Sequence, residues 1–227
     1  MAVNYVEKID GPVKINHVLA SVSNKTGLDT LVPGLLEANP EVRIFSTGGT
    51  HNVIKELLGD KADRNLTQVS AYTGQPEMQG GLVKTLDFKI YLGLLSETYN
   101  DAHNADIERL DAVHIDMVVV NLYPFAETVA KPDATVEMAR ANIDIGGPCM
   151  VRAAAKNYLR VASVTDPADY EQLVAELKAG GATLSLSRRF ELARKAFAHT
   201  ASYDTAISQY LAGQDAESVA GCYTVVG

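Results

Sequence analysis

Short apolar runs rich in β-branched residues alternate along this chain with stretches of helical periodicity. Apolar runs without polar alternation belong to strands buried on both faces, the condition of parallel strands between two layers of helices. Val18–Val22, Val42–Phe45, Ile90–Leu95, Met117–Leu122 and Val161–Val164 are read as such strands. Between and after them, helices are expected over Asp29–Ala38, Asn52–Leu58, Ala105–Ala112, Thr135–Ala141 and Ala168–Lys178. The last has Asp166 as its cap and Pro167 at its first position. Pro33 must either kink the first helix or open a later one. Ser187 is read as the cap of a long helix to Leu211, with Phe190, Ala193, Phe197 and Ala201 largely on one face. The order implies an α/β fold: a doubly wound, mainly parallel sheet with a C-terminal helical extension over residues 1–212. Residues 213–227 follow as a tail or a docked strand.

Ligands of such sheets bind outside the carboxyl ends of the strands, so the loops after the strands are where chemistry is sought. The first strand is followed by Ser23-Asn24-Lys25-Thr26-Gly27, which has the character of a phosphate cradle at a helix N-terminus and equally of an ordinary cap with a solvated lysine. Ser46-Thr47-Gly48-Gly49-Thr50 follows the second, its paired glycines allowing backbone to approach a ligand. Two such loops in consecutive β–α turns favour one shared anion, and a phosphate monoester fits better than a polyphosphate because no Mg²⁺ ligands stand beside them.

Further on, Gly74-Gln75-Pro76 opens an irregular glycine-rich stretch ending at Lys84-Thr85, readable as a functional or a plain surface loop. Tyr123 stands before Pro124 and is held extended. Gly146-Gly147-Pro148 opens a helix that carries Arg152 and Lys156 on one face, with Asp144 just before it.

With 20 Lys+Arg against 28 Asp+Glu, the net charge of −8 argues against general binding to nucleic acid or an anionic membrane. No apolar run approaches the roughly 18 residues that a membrane span needs, and no signal-peptide core is expected at the N-terminus. Two cysteines cannot build a disulfide framework, which points to a reducing cytoplasm. The histidines lack zinc-ligand spacing with the cysteines, so no zinc site is expected.

Taken in order, Ser23-Asn24-Lys25-Thr26-Gly27, Ser46-Thr47-Gly48-Gly49-Thr50, Val83-Lys84-Thr85-Leu86, Asn121-Leu122-Tyr123-Pro124-Phe125, Asn142-Ile143-Asp144-Ile145-Gly146-Gly147 and Arg152-Ala153-Ala154-Ala155-Lys156-Asn157 resemble a known family. It is the inosine monophosphate (IMP) cyclohydrolase domain of the bifunctional purine-biosynthesis enzyme. Lys195-Ala196-Phe197-Ala198-His199-Thr200-Ala201-Ser202-Tyr203-Asp204 is similar to the helix that ends that domain.

The resemblance implies a methylglyoxal-synthase-like fold and closure of 5-formamidoimidazole-4-carboxamide ribotide (FAICAR) to IMP and water, a ring closure within one molecule for which neither metal nor cofactor is expected. It implies nucleotide contacts at Ser23, Asn24, Lys25, Thr47, Gly48, Gly49, Thr50, Thr85, Asn121, Ile145, Gly146 and Gly147, and catalysis by Lys84, Tyr123, Asp144 and Lys156. It also implies a homodimer and a separate enzyme that formylates the aminoimidazole-carboxamide ribotide (AICAR). Asp144 and Lys156 are expected to act as a proton-transfer pair, Lys84 to stabilise the developing oxygen, and Tyr123 to position the ring.

The chain departs from the family pattern at Leu82, where an arginine is usual, and at Asp87-Phe88, in place of His-Pro. Losing that arginine removes a charged hydrogen bond, worth about 1.5–3 kcal/mol. Two rival readings remain: a non-catalytic nucleotide- or phosphate-binding module of the same fold, and a methylglyoxal synthase, against which the Asn-Leu-Tyr-Pro-Phe segment speaks.

Overall fold

The computed structural model describes residues 5–76 and 85–226; Leu82 and Lys84 lie outside the described residues. The chain runs β1 (Val13–Lys14), β2 (His17–Val22), α1 (Leu28–Ala38), β3 (Arg43–Ser46), α2 (Gly48–Leu58), α3 (Ala62–Asn65), β4 (Leu66–Gln68), α4 (Val69–Thr73), α5 (Phe88–Leu95) and α6 (Asp101–Arg109). It continues through β5 (Met117–Asn121), α7 (Phe125–Val129), α8 (Val136–Ala141), α9 (Gly146–Lys156), β6 (Ala162–Val164), α10 (Tyr170–Ala179), β7 (Thr183–Leu184), α11 (Leu186–Ala212) and α12 (Ala216–Ala220).

Five strands pair in parallel in the order β4-β3-β2-β5-β6, and β1 pairs antiparallel with β7. The chain winds outward from β2 to β4, then returns past β2 to β5 and β6. The order therefore reverses between β2 and β5, the switch point at which open α/β sheets hold ligands. Val22 pairs with Asn121, and Ala20 with Ser46, so the carboxyl ends of three strands finish side by side.

Alternation along each strand divides the core into two layers. Val18, Ala20, Val22, Met117 and Val119 face α1 and α10, whose Leu28, Leu31, Leu173 and Leu177 are buried with them. Leu19, Phe45, Val118 and Val120 face the other way, onto Ile90, Leu94, Met150, Val151 and Ala154. Both faces are covered, which is why the sequence shows continuous apolar runs. Pro33 sits inside α1 rather than opening a later helix. A side chain at Gly34 of that helix would overlap Val174 of α10, so the two helices approach closely only because residue 34 is a glycine.

Four expectations need correction. Ile90–Leu95 is not a strand but most of α5, with Ile90 and Leu94 one turn apart against the sheet. The cap was visible in the sequence: the Asp87 carboxylate accepts from Lys89 N–H at 2.8 Å. Strand β4 was missed, being three residues long and only partly buried. The long helix starts earlier than Ser187, since Ser185 is its cap and accepts from Arg188 N–H at 3.2 Å. The described residues beyond Gly213 do not form a docked strand: Asp215 caps the short helix α12, and the Tyr223 hydroxyl bonds the Glu137 carboxylate on α8.

Below the amino ends of the strands, Asp116 accepts from the N–H groups of Asn16 and His17 at 2.9 Å each and meets Arg160 at 3.0 Å, all but sealed from solvent. His17 bonds the His114 carbonyl through Nδ1, and His114 Nδ1 meets the Ser96 hydroxyl, both at 2.9 Å. Burial, with the Arg160 charge adding to it, pushes His114 down to about 4. An unfolded histidine takes up its proton near pH 6.5. Between those limits the unfolded chain binds a proton that the folded one refuses, so stability is full above about pH 6.5 and falls as the pH drops toward about 4. His17, also lowered chiefly by burial, adds to the same slope. Urea midpoints at pH 7.5 and pH 5 should show this loss, and His114→Gln should make it shallower. An equally steep loss in the variant would clear His114 of the effect.

Candidate active site

A cavity of about 630 Å³ opens at the switch point, lined by the ends of β2, β3 and β5 and by the N-termini of α2 and α9. In the loop after β2, the Lys25 ammonium turns back to donate to the carbonyls of Val22 and, at 3.0 Å, Ser23. Burial pulls its pKa below the ordinary lysine value. Gly27 closes this loop at φ +77°, where a Cβ would also press on the Tyr170 ring at 2.9 Å. In the loop after β3, Thr47 Oγ1 meets the Ser21 hydroxyl at 3.1 Å. Gly48 has φ +47°, and a Cβ on Gly49 would meet nothing within 4 Å, so the start of α2 presents bare backbone.

Thr50 is not available to a ligand through its side chain. Its hydroxyl accepts from Val22 N–H at 3.1 Å and donates to Val22 O at 3.0 Å, tying α2 to the end of β2. Asn121 is likewise committed: its amide accepts from Asn24 N–H at 2.7 Å and donates to Asn24 O at 2.9 Å. Both line the cavity, but as the fittings that hold its loops. Asn24 spends its side-chain Oδ1 on Thr26 N–H, accepting at 2.9 Å, and lines the neighbouring chamber rather than this one.

Opposite these loops, Asp144 Oδ1 accepts from Gly147 N–H at 2.8 Å at the mouth of α9. Burial raises its pKa above the usual carboxylate value, against the pull of bonds from the N–H groups of Gly147 and Tyr123. The glycine pair here is dictated by packing: a Cβ on Gly146 would stand 2.5 Å from Thr85 Oγ1, and one on Gly147 2.5 Å from Asp144 Oδ2. Thr85 is buried, whereas Tyr123 and Ile145 stand half-exposed at the rim. Two helix N-termini therefore face one space, each favouring negative charge by about 0.3–1 kcal/mol.

The proposed partner of Asp144 is elsewhere. Lys156 is exposed at the last residue of α9, while Asp144 precedes its first, and a helix of that length spans about 16 Å. Lys156 does not line the cavity, so an Asp144–Lys156 pair within one chain is corrected. Arg152, on the same face, lies over the Phe197 ring of α11 at 5.5 Å. Lys84 falls outside the described residues. Among the described residues no group of three or more His, Cys, Asp or Glu side chains gathers to hold a metal ion.

Ser23, Lys25, Thr47, Gly48, Gly49, Thr50, Thr85, Asn121, Tyr123, Asp144, Ile145, Gly146 and Gly147 are thus brought together. Sequence reasoning missed Ser21, Ile143 and Met150 of the lining. Ser21 carried a signal, as a polar residue near the end of an apolar strand. A second chamber of about 730 Å³ adjoins the first across Ser23, Asn121 and Tyr123, and is closed by His199, Ser202 and Tyr203 of α11.

Comparison with known proteins bears on this arrangement. A family model described as MGS-like domain matches residues 28–149, and one described as AICARFT/IMPCHase bienzyme matches residues 154–226. A bifunctional purine biosynthesis protein PurH from Bacillus cytotoxicus is 48% identical over 207 residues, which are 91% of this chain and 39% of that protein. PurH from Synechococcus sp. is 46% identical over 196 residues, 86% of this chain and 36% of that protein. The chain thus spans about two-fifths of the length of these curated relatives. A crystal structure of ForH superposes with a TM-score of 0.69 at 31% identity, covering 85% of this chain and 96% of that one. No helix among the described residues is long and apolar enough to cross a membrane.

Two glycines separate packing from binding. Gly147→Ala should cost about 1–3 kcal/mol in unfolding free energy, because its methyl meets Asp144 and Leu122. Gly49→Ala should leave the unfolding midpoint unchanged or raised while weakening phosphate binding at least threefold, since its methyl enters open cavity. Chemical denaturation and phosphate titration of both variants test this, and equal stability losses would contradict it.

Proposed function

The chain belongs to the MGS-like domain family, and from that premise we propose that it is an IMP cyclohydrolase, closing FAICAR to IMP with release of water. The observation that carries the reading is the single cavity in which an anion-favouring pair of loops faces a half-buried carboxylate, Asp144. Its relatives named as bifunctional purine biosynthesis proteins support the same assignment. The partner enzyme in this reading is the one that formylates AICAR, and the compartment is the cytoplasm.

The ribotide phosphate sits against the N–H groups that open α2 and beside the Lys25 ammonium. The first N–H groups of a helix have no acceptor within it, and they meet a phosphate without reorganisation. Holding the phosphate fixes the carboxamide and formamido groups against one another, and such placement is worth several kcal/mol of the barrier. The carboxamide nitrogen then adds to the formyl carbon. One of its hydrogens passes to the formyl oxygen, and that oxygen departs as water with the hydrogen of the formamido nitrogen.

Asp144 is the group that accepts and returns these protons. A carboxyl raised by burial changes protonation state more readily near neutral pH than an exposed one does. Tyr123 at the rim steadies the ring, and Lys84 together with backbone N–H groups at Gly146 and Gly147 meets the negative oxygen. In this reading the protein is a homodimer. Since Lys156 cannot reach the Asp144 of its own chain, it serves the reaction only from a second copy.

Following product absorbance after FAICAR is added to the purified protein tests the activity; binding of IMP without turnover would instead favour the non-catalytic module. Lys25→Ala should weaken IMP binding by about tenfold, the scale of one charged hydrogen bond, and an unaltered affinity would remove it from the phosphate site. Asp144→Asn and Lys156→Ala should each be nearly inactive alone. Mixed, they should recover part of the activity through hybrid dimers, and a mixture as inactive as its components would exclude the shared site.

A further inference from the structure

Asp144 sits in a short connection between α8 and α9, where Ile143 N–H bonds Arg140 O at 3.2 Å and the Asn142 side-chain amide bonds Met138 O at 2.9 Å, but neither bond reaches the Asp144 backbone. The restraint on that backbone comes from a residue 59 positions later. Tyr203, on α11, is buried at 9% exposure, and its hydroxyl accepts from Asp144 N–H at 2.8 Å while facing Asn142 O at 3.1 Å, to which it donates. One oxygen thus satisfies both peptide groups that flank Ile143. It does so from a helix fixed independently of the site, because Arg189 near the start of α11 donates to the carbonyls of Asp10, Gly11, Tyr158 and Leu159.

The ring of Tyr203 is itself oriented. It meets Phe125 edge-on, with centroids 6.2 Å apart, and Tyr210 meets the same Phe125 ring edge-on at 5.9 Å. Phe125 opens α7, only two residues after Tyr123 at the cavity rim. The aromatic cluster therefore sets the direction from which the hydroxyl approaches the Asn142–Asp144 backbone. With that backbone fixed, the Asp144 carboxylate is left to cap α9 through Gly147 N–H and to face the cavity.

We propose that Tyr203 is a positioning residue for the reaction, fixing the Asp144 carboxylate at the mouth of α9 through hydrogen bonds to the backbone on either side of Ile143. This rests on the cyclohydrolase reading for its kinetic consequence but not for its structural one. Removing the hydroxyl takes the partner from the half-buried Asp144 N–H and Asn142 C=O at once, and the connection loses the restraint that these two bonds provide. Movement of about an ångström at a reacting group is enough for a rate loss of up to a hundredfold, whereas the phosphate contacts, on the other side of the cavity, stay as they are.

The test is Tyr203→Phe, which keeps the ring and its packing on Phe125, with Tyr210→Phe as a control that removes a hydroxyl from the same aromatic cluster. Steady-state turnover of FAICAR should show kcat lowered tenfold or more in Tyr203→Phe, KM within twofold of the parent, and no change in Tyr210→Phe. Amide hydrogen exchange should show protection lost at Asp144 and Gly147 in Tyr203→Phe alone, with the β2 and β5 amides unchanged. An unchanged kcat, a loss confined to KM, or an equal effect of Tyr210→Phe would overturn the proposal. If the parent protein binds IMP but turns over nothing, the cyclohydrolase reading fails by itself; the exchange at Asp144 and Gly147 then decides the tether, and retained protection there overturns it.

Discussion

The site depends on the position of β2 between β3 and β5. Parallel pairing on both sides brings Val22 level with Asn121 and Ala20 level with Ser46, so the loops leaving three strands are delivered to one edge. Because the winding reverses beside β2, the connections leaving β2 and β5 depart in opposite directions and a crevice opens between their loops. Pairing on both sides also locks the register. A one-residue slip of β2 would exchange Leu19 for Val18 and Ala20, moving side chains between the two layers of the core.

On that edge the polar residues divide into those that hold the loops and those left to a ligand. Thr50 and Asn121 look like binding residues by type and place, yet their hydrogen bonds are closed on Val22 and Asn24. This is what a pre-organised site requires. Loops held by side-chain fittings keep their remaining N–H groups aimed at one point, so binding an anion there orders little that was not already ordered. Gly146 and Gly147 make the matching concession on the far wall, giving up side chains so that Thr85 and Asp144 lie against the start of α9.

The sequence revealed the layered fold because burial on both faces leaves an unmistakable pattern in β2 and β5, and because caps are local, although Asp166, read as the cap of α10, caps the 3₁₀ turn Pro167–Asp169 that leads into it. It was misleading where the deciding contact is distant or the segment short. Ile90–Leu95 has the composition of a buried strand, and only the Asp87 cap and the one-turn spacing of Ile90 and Leu94 distinguish it as a helix. Strand β4 is too short to show periodicity. In the site, the types and order of the loop residues were legible, whereas the division between fittings and contacts was not, because Thr50 and Asn121 find their partners across 28 and 97 positions. The separation of Asp144 from Lys156 was readable in principle. A helix begun by Gly-Gly-Pro and continued to Lys156 must carry the two apart at about 1.5 Å per residue.

That separation bears on how such a site is built. A carboxylate at one end of a helix and a lysine at the other belong to different surfaces of the protein, and the lysine's surface is the one α9 and α11 present together, with Arg152 over Phe197 and Phe190 half-exposed nearby. Charge and apolar area are mixed there, as they are at the rim of an interface. The Asp144 wall, in contrast, is internal: it is held by Gly147, by Tyr203 and by the helix that Arg189 anchors, all within one chain. One half of the proposed proton-transfer pair is therefore fixed by folding. In the proposed reading the other is fixed only by association, so phosphate binding would require only a folded chain, whereas proton transfer through Lys156 would require an assembled one.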